Sequence, residues 1–233
     1  MNKKSIKASL AAIGLTLVVV VVAAASGVLT NGDFETGNLN GWDTEVTANG
    51  TSGGINVVHF QTTTTQVSGS QAARMTVGQI IFTPGVREGA GIFQSFSLAS
   101  SGDVLVSADV AAQELTFIHG NGDGGIFDLM VDGVVVDSFD SETISPGAIE
   151  RSHLSAEISL AAGLHEVRVE ARREYSAGAV AQYIDNVDVT VLTVTKADVL
   201  GGSGVTGSGI GTAPGLQTEF NEKSGATQHA GKK

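Results

Sequence analysis

The side chains of this 233-residue sequence that could do chemistry are mainly carboxylates. There are 24 Asp and Glu residues against 13 Lys and Arg, and no cysteine. The chain therefore has no thiol nucleophile, no disulfide and no thiolate-bound metal. Its five histidines lack metal-ligand spacing, and no nucleophile elbow or phosphate-binding glycine loop is present. An acid pair for glycoside hydrolysis would need a set separation that the sequence does not give, so we predict a protein that is not an enzyme.

The net charge of −11 limits the partners of the chain. Nucleic-acid-binding proteins usually carry a basic surface, and an anionic membrane surface would repel an acidic chain. Acidity suits solubility outside a cell, or the binding of a cation. We therefore predict no nucleic-acid partner.

The N-terminus has the layout of a secretory signal peptide. Lys3, Lys4 and Lys7 precede an apolar run over residues 10–25 that ends in three alanines. Residues 1–25 are thus predicted to be a signal peptide, which places the protein in the extracellular space or on the cell surface. An uncleaved anchor helix, which would contact a membrane, is the alternative, and a pilin-type leader cut near Lys7 is the third. Removing residues 1–25 lowers the net charge to −14, because it removes three lysines and no acid.

The elements that must position any site are strands. Apolar residues alternate with polar ones over 104–110 and 167–171, which is the period of a β-strand with one buried face. The charged residues Glu166, Arg168, Glu170 and Arg172 occupy the opposite positions of the second segment. They predict a solvated strand face of mixed charge.

Turn signals divide the chain into an all-β domain and a tail. Asp132-Gly133 lies between two apolar runs and predicts a two-residue hairpin turn. Many short strands without helical patterns indicate an antiparallel jelly-roll β-sandwich over residues 28–194. Residues 195–233 are rich in Gly and Ser, then polar, and predict a flexible, disordered C-terminal tail.

Two motifs near the ends of this domain carry a family resemblance. The first is Asn31-Gly32-Asp33-Phe34-Glu35-Thr36-Gly37, followed by Gly41-Trp42, and the second is Tyr183-Ile184-Asp185-Asn186-Val187. Together they resemble the first and last strands of exported galactose-binding-like jelly rolls, the superfamily that includes many carbohydrate-binding modules. Intermediate segments fit as well, so that the resemblance covers about residues 28–192.

The resemblance implies a structural calcium ion. In such a jelly roll the first and last strands lie near each other, so Glu35 and Asp185 would converge. Two carboxylates in an acidic chain repel unless they are protonated or bridged by a cation, and calcium binds carboxylate and carbonyl oxygens. The family arrangement would add backbone carbonyls from residues 68–70. We therefore predict Ca²⁺ bound by Glu35 and Asp185, with solvated strand-end carboxylates as the alternative.

Aromatic residues limit any sugar site. Carbohydrate-binding modules stack sugar rings on exposed Trp or Tyr, and this chain has one Trp and two Tyr. Trp42 occupies the family's structural position, and Tyr183 is predicted to lie in the core, as are most of the nine Phe. Tyr175, in a polar loop, is left as the candidate ligand-binding residue.

These observations give two functions. The first is a non-catalytic extracellular module that binds polysaccharide or cell-surface glycan and contains structural calcium. The second is a structural subunit of an extracellular matrix, surface layer or filament, in which copies of the chain assemble by strand exchange. The first is the leading interpretation, and the shortage of sugar-stacking aromatics is the support for the second as its alternative.

Overall fold

The described part of the chain is built of strands alone. A computed structural model describes residues 21–25, 28–116 and 122–195, and no helix occurs among them, hence none that could span a membrane. The strands are β1 (Val21–Ala25), β2 (Asp43–Val46), β3 (Gly50–Thr51), β4 (Asn56–His59), β5 (Gln71–Met75), β6 (Gly78–Gln79), β7 (Glu88–Leu98), β8 (Gly102–Glu114), β9 (Gly122–Asp123), β10 (Ile126–Val131), β11 (Val134–Asp140), β12 (Thr143–Ile144), β13 (Ile149–Leu160), β14 (Gly163–Arg173) and β15 (Val180–Thr195).

The longer strands form two antiparallel sheets. One sheet has the order β13-β8-β15-β5-β4, with β1 also paired to β15, and the other has the order β11-β10-β14-β7-β2. Along the chain, successive strands of these two sheets alternate between them except at the β4–β5 and β10–β11 pairs, which is the course expected of a jelly roll. The predicted all-β antiparallel sandwich is confirmed.

The core lies between the two sheets. The alternating apolar positions of β8 and β14 point inward and are buried, as the sequence period predicted. One continuous hydrophobic cluster joins them to Phe34, Phe127 and Ile184. Its burial supplies the main stabilisation of a domain that has no disulfide.

Two hairpin turns are joined by His165. The predicted turn is present: Val131 pairs with Val134, and Asp132 and Gly133 have positive φ angles of 50° and 78°. His165 Nδ1 lies 2.8 Å from Asp132 Oδ2, and His165 Nε2 lies 3.0 Å from the Ala161 carbonyl oxygen. Because both partners are acceptors, only the protonated ring donates to both. These bonds raise the pKa of His165, chiefly through Asp132, and lower that of Asp132.

The segment that precedes β2 forms hydrogen bonds to both sheets. The Val28 N–H donates to the Val189 carbonyl oxygen, and the Gly32 carbonyl oxygen accepts from the Val187 N–H, both on β15. Between these two contacts, the backbone N–H and carbonyl of Thr30 bond the side-chain amide of Gln94 on β7. Gly32 is required by this approach, because a Cβ there would lie 2.0 Å from the Val187 oxygen.

The described residues reach the two predicted terminal segments only at their inner ends. The end of the predicted signal or anchor helix is a strand, since β1 pairs with β15; residues 1–20 lie outside the described residues. The extended backbone of β1 agrees with its Val-Val-Ala-Ala-Ala sequence, whose valines favour strands. Strand β15 ends at Thr195, one residue past the predicted boundary, and the rest of the predicted tail lies outside the described residues.

Candidate functional site

The most exposed aromatic surface of the described residues is formed by two parallel rings. Tyr175 is 52% exposed and Phe82 is 49% exposed. Their ring centroids are 5.9 Å apart and their planes are inclined by only 9°. The structure thus places the sequence-predicted Tyr175 at the surface and adds a second ring beside it.

An apolar loop extends this surface. Ile80 and Ile81 are 66% and 71% exposed, and Val86 is also exposed. The loop over residues 80–87 connects β6 to β7. Exposed apolar side chains that adjoin one another mark interaction sites more often than isolated ones do. We call Phe82, Tyr175, Ile80, Ile81 and Val86 the apolar platform.

Two side-chain amides hold the backbone of this loop. The buried Gln79 accepts from the Thr83 N–H at 2.7 Å, and its Nε2 lies within hydrogen-bond distance of the carbonyl oxygens of Thr83, Val86 and Glu174. Asn49 Nδ2 donates to the Ile81 carbonyl oxygen at 2.6 Å, and Asn49 Oδ1 accepts from the Ile81 N–H at 3.0 Å. The exposed side chains therefore rise from a backbone whose polar groups are satisfied.

The other two expected aromatic positions are structural. Trp42 is buried against Phe34, with a centroid distance of 5.7 Å, and its Nε1 donates to the Asn31 carbonyl oxygen. Tyr183 is buried on the outer face of the first sheet, where Phe60 stacks on it at 3.5 Å. Trp42 has the predicted structural role. Tyr183 is buried as predicted, but in a separate cluster on the outer face of the sheet and not in the core between the sheets.

Asp185 lies buried on the same outer face. It is 0% exposed, and its carboxylate accepts from the Asn186 N–H at 2.7 Å, Gln66 Nε2 at 2.5 Å and Thr62 Oγ1 at 3.1 Å. Burial raises the pKa of Asp185 to about 7; the three hydrogen bonds oppose this shift and nearby Asp109 adds to it. A group that titrates near neutrality therefore lies at the predicted last-strand position.

A bulge in β15 creates the surroundings of Asp185. The pairing with β8 shifts register between Asp185 and Asp188, and Asn186 adopts a φ of 48°. Asn tolerates this conformation better than most residues. The turned Asn186 side chain donates to Asp109 Oδ2 at 2.7 Å, and His153 Nδ1 lies 2.7 Å from Asp109 Oδ1.

The second predicted calcium ligand has separate hydrogen-bond partners. Glu35 Oε1 accepts from Ser70 Oγ at 3.1 Å and from the Gln71 N–H at 3.0 Å. Glu35 thus meets the predicted 68–70 loop, but it shares no hydrogen-bond partner with Asp185. Since donor groups rather than oxygen ligands surround the Asp185 carboxylate, its first contacts fit a hydrogen-bonded acid better than a calcium ligand.

No larger metal cluster adjoins either carboxylate. Within residues 21–25, 28–116 and 122–195, no group of three or more His, Cys, Asp or Glu side chains is placed to hold a metal ion. Calcium bound by Glu35 and Asp185 with backbone carbonyls remains a prediction.

The predicted charged face of β14 is only partly solvated. It lies on a central strand, and Arg172 contacts both Asp128 and Glu170, while Arg168 contacts Glu45 and Glu166. Glu170 is buried, and this burial raises its pKa. The prediction of a fully solvated face was therefore wrong at Glu170, because cross-strand neighbours on both sides cover it.

Comparison with known proteins gives structural likeness only. No protein-family model and no curated protein sequence matches the chain. The solved structures to which it is similar include carbohydrate-binding modules. The module TmCBM61, solved with β-1,4-galactotriose, is 16% identical, with a TM-score of 0.46 over 73% of this chain and 100% of its own. The xylan-binding CBM22-1 domain of Paenibacillus barcinonensis Xyn10C is 13% identical, with a TM-score of 0.38 over 78% and 100%.

An enzyme is among the similar structures as well. The Stig cyclase Fisc from Fischerella sp. TAU is 14% identical, with a TM-score of 0.46 over 74% of this chain and 100% of its own. The solved structures similar to this chain thus include carbohydrate-binding modules and an enzyme. At these identities the likeness concerns the sandwich and not the ligand.

Sequence reasoning missed Phe82 and the two amides. Phe82, which stands in a loop, is an exception to the prediction that most Phe residues lie in the core. A signal was present: Ile80, Ile81 and Phe82 directly precede Thr83-Pro84-Gly85, so the apolar run lies against a turn and breaks the strand period. Nothing in the sequence indicates that Gln79 reaches two loops, because those contacts span up to 95 positions.

Proposed function

We propose that the protein is a non-catalytic extracellular module that binds polysaccharide on the apolar platform. The observation that carries this proposal is the pair of exposed, parallel rings of Phe82 and Tyr175. The apolar C–H face of a sugar packs against such flat surfaces, and this contact removes apolar area from water. Tyr175 also carries a hydroxyl group that can bond to a sugar hydroxyl.

The fixed backbone of the platform supports a binding role. A loop that is already held in one conformation loses little entropy when a ligand binds, which raises the affinity obtained from a small contact area. Gln79 and Asn49 supply this restraint on either side of Phe82.

The charges around the platform favour an uncharged polysaccharide. The nearby guanidinium of Arg87 lies 3.7 Å from Asp123 and 3.8 Å from Asp140, so its charge is balanced. The Glu174 carboxylate, in the 174–179 segment, accepts from the Gly85 N–H of the 80–87 loop. Together with the net charge of the chain, these acids would repel a polyuronate.

Binding assays with single substitutions test this proposal. Affinity electrophoresis and calorimetry would compare β-1,4-galactan and xylan with polygalacturonate. We expect Tyr175→Ala and Phe82→Ala each to weaken binding about tenfold, which corresponds to about 1.4 kcal/mol. Leu164→Ala removes an even more exposed apolar side chain from the start of β14 and should leave binding unchanged. Failure to bind any polysaccharide, or wild-type affinity in both ring variants, would overturn the proposal.

Structural calcium is a separate proposal, and it concerns stability rather than ligand contact. A cation held by Glu35 and Asp185 would join the first and last parts of the sandwich. Its support is the family resemblance together with the contact between Glu35 and the 68–70 loop. The experiment that decides it also decides the protonation of Asp185, and it opens the Discussion.

The second candidate function is a self-assembling structural subunit. The side of β15 that faces β5 favours this function. Strand β5 pairs with β15 only over Gln182–Ile184. Farther along β15, the segment before β2 forms the backbone hydrogen bonds instead, through Val28 and Gly32. A strand position filled by a terminal segment can accept the same segment from a second copy, because the main-chain hydrogen bonds are identical. Fibres in electron micrographs of concentrated protein would support this function, whereas a monomer at every concentration would contradict it.

A further inference from the structure

Gln79 is a buried polar residue that contacts both loops of the apolar platform. Its side chain is 1% exposed. On one side it bonds Thr83 and Val86, which flank the turn after Phe82. On the other side its Nε2 contacts the Glu174 carbonyl oxygen, and its own N–H donates to the Tyr175 carbonyl oxygen at 3.0 Å.

These contacts connect segments that no strand pairing joins. The loop over residues 80–87 and the segment over residues 174–179 lie outside the named strands. Within the described ranges, the only β-bridge of either segment is an isolated one, between Ser176 and Gln79 of β6. Besides the Gln79 amide, one exposed hydrogen bond joins the two segments, from the Gly85 N–H to the Glu174 carboxylate. The amide is thus the buried side-chain link between the loops that carry the two rings.

Asn49 completes the restraint from the opposite side. Its amide bonds both the N–H and the carbonyl of Ile81, one residue before Phe82, and its Nδ2 is 3.4 Å from Gln79 Oε1. Asn49 is only half-buried, so its replacement removes loop contacts without opening a cavity in the core.

We propose that Gln79, assisted by Asn49, is the positioning residue of the platform, which holds the Phe82 and Tyr175 rings parallel for ligand. This inference rests on the proposed polysaccharide-binding function. Without the amide, the carbonyl oxygens of Thr83, Val86 and Glu174 lose their donor and would turn toward water, which separates the two loops. The rings would then order only on binding, at a cost in affinity.

The test compares Gln79→Met with Gln94→Met. Both changes remove a mostly buried amide that bonds backbone N–H and carbonyl groups, but Gln94 bonds Thr30, in the segment before β2, rather than the platform loops. Chymotrypsin cleavage after Phe82 reports loop order without any ligand. Calorimetry with whichever neutral polysaccharide the wild type binds reports the effect on affinity.

We expect Gln79→Met to be cleaved after Phe82 at least tenfold faster than the wild type, and to bind about tenfold more weakly. Gln94→Met should lose a similar amount of thermal stability, while its rate of cleavage after Phe82 and its affinity for polysaccharide remain those of the wild type. If Gln79→Met does not fold, Asn49→Ala should still show the faster cleavage. Wild-type cleavage and affinity in folded Gln79→Met or Asn49→Ala, or equal changes in Gln94→Met, would overturn the inference. Absence of polysaccharide binding in the wild type refutes the proposed function, and the cleavage result still decides the role of Gln79.

Discussion

The buried carboxyl group of Asp185 makes the stability of the domain depend on pH in a direction opposite to that of a paired surface acid. The pKa of Asp185 is raised from 3.8 to about 7 in the folded state. Between these values the unfolded chain releases a proton that the folded chain retains, so unfolding is favoured as the pH rises. The stabilising contribution is complete below pH 3.8 and is lost as the pH passes upward through about 7.

The size of this effect follows from the two pKa values. At 1.36 kcal/mol for each pKa unit, the difference amounts to about 4 kcal/mol. For a domain of this size, that free energy corresponds to a fall in Tm of about 10 °C between pH 4 and pH 8. Glu170 and His165 also have raised pKa values and change stability in the same direction, so the comparison with a variant is what isolates Asp185.

The assay is thermal unfolding of the wild type and of Asp185→Asn from pH 4 to pH 8, in chelator. We expect the wild type to lose stability with rising pH and the variant to lose about 4 kcal/mol less. The variant should carry an offset of about 1 kcal/mol at all pH values, because Gln66 loses its acceptor. Asp188→Asn, on the same strand, is the matched control and should follow the wild type. Parallel curves for wild type and Asp185→Asn would refute the reasoning.

Added calcium distinguishes protonation of Asp185 from binding of the predicted calcium ion by Asp185. A bound cation favours the ionised carboxylate and lowers its pKa. If Glu35 and Asp185 bind calcium, then calcium raises the wild-type Tm most at pH 8, and Asp185→Asn abolishes that increase. Identical melting curves in calcium and in chelator would refute the calcium proposal and leave Asp185 as a buried acid that binds a proton.

Three further predictions test the fold. His165→Ala should lower Tm more at pH 5.5 than at pH 8.5, because the bridging bonds need the protonated ring and its raised pKa lies above 6.5; equal losses at both pH values would contradict this. Gly32→Ala should cost about 2 kcal/mol or more in denaturant unfolding, because its Cβ would collide with the Val187 oxygen, and an unchanged midpoint would show that the segment yields. Phe127→Ala should cost about 3–5 kcal/mol, and a loss below about 1 kcal/mol would contradict its full burial.

The sandwich could be predicted because its signals are local. The alternation along β8 and β14 depends on a period of two residues, and the Asp132-Gly133 turn depends on two adjacent residues that tolerate positive φ. Tyr175 could be predicted as exposed because it stands among polar neighbours in the sequence.

The site could be predicted only in part, because its other members depend on contacts distant in sequence. Asp185 was recognised from its motif, but the burial that raises its pKa is a property of the whole fold. Thr62 and Gln66, whose hydrogen bonds oppose that rise, reach it from more than a hundred positions away. Phe82 becomes half of a platform only because Gln79 holds its loop beside Tyr175. Periodicity carries no information about such side-chain-to-backbone contacts.

The segment from Val28 to Gly32 has a consequence for when the molecule can become complete. It is among the first of the described residues to be synthesised, yet its partners on β15 are among the last. A chain that emerges N-terminus first must therefore hold this segment unpaired until nearly the whole domain is available. Contacts so distant in sequence slow folding and prolong the exposure of apolar strands. We thus expect the contacts of this segment with β15 to form in the last step of folding. A chain whose synthesis stops early would lack the hydrogen bonds that connect this segment to β15.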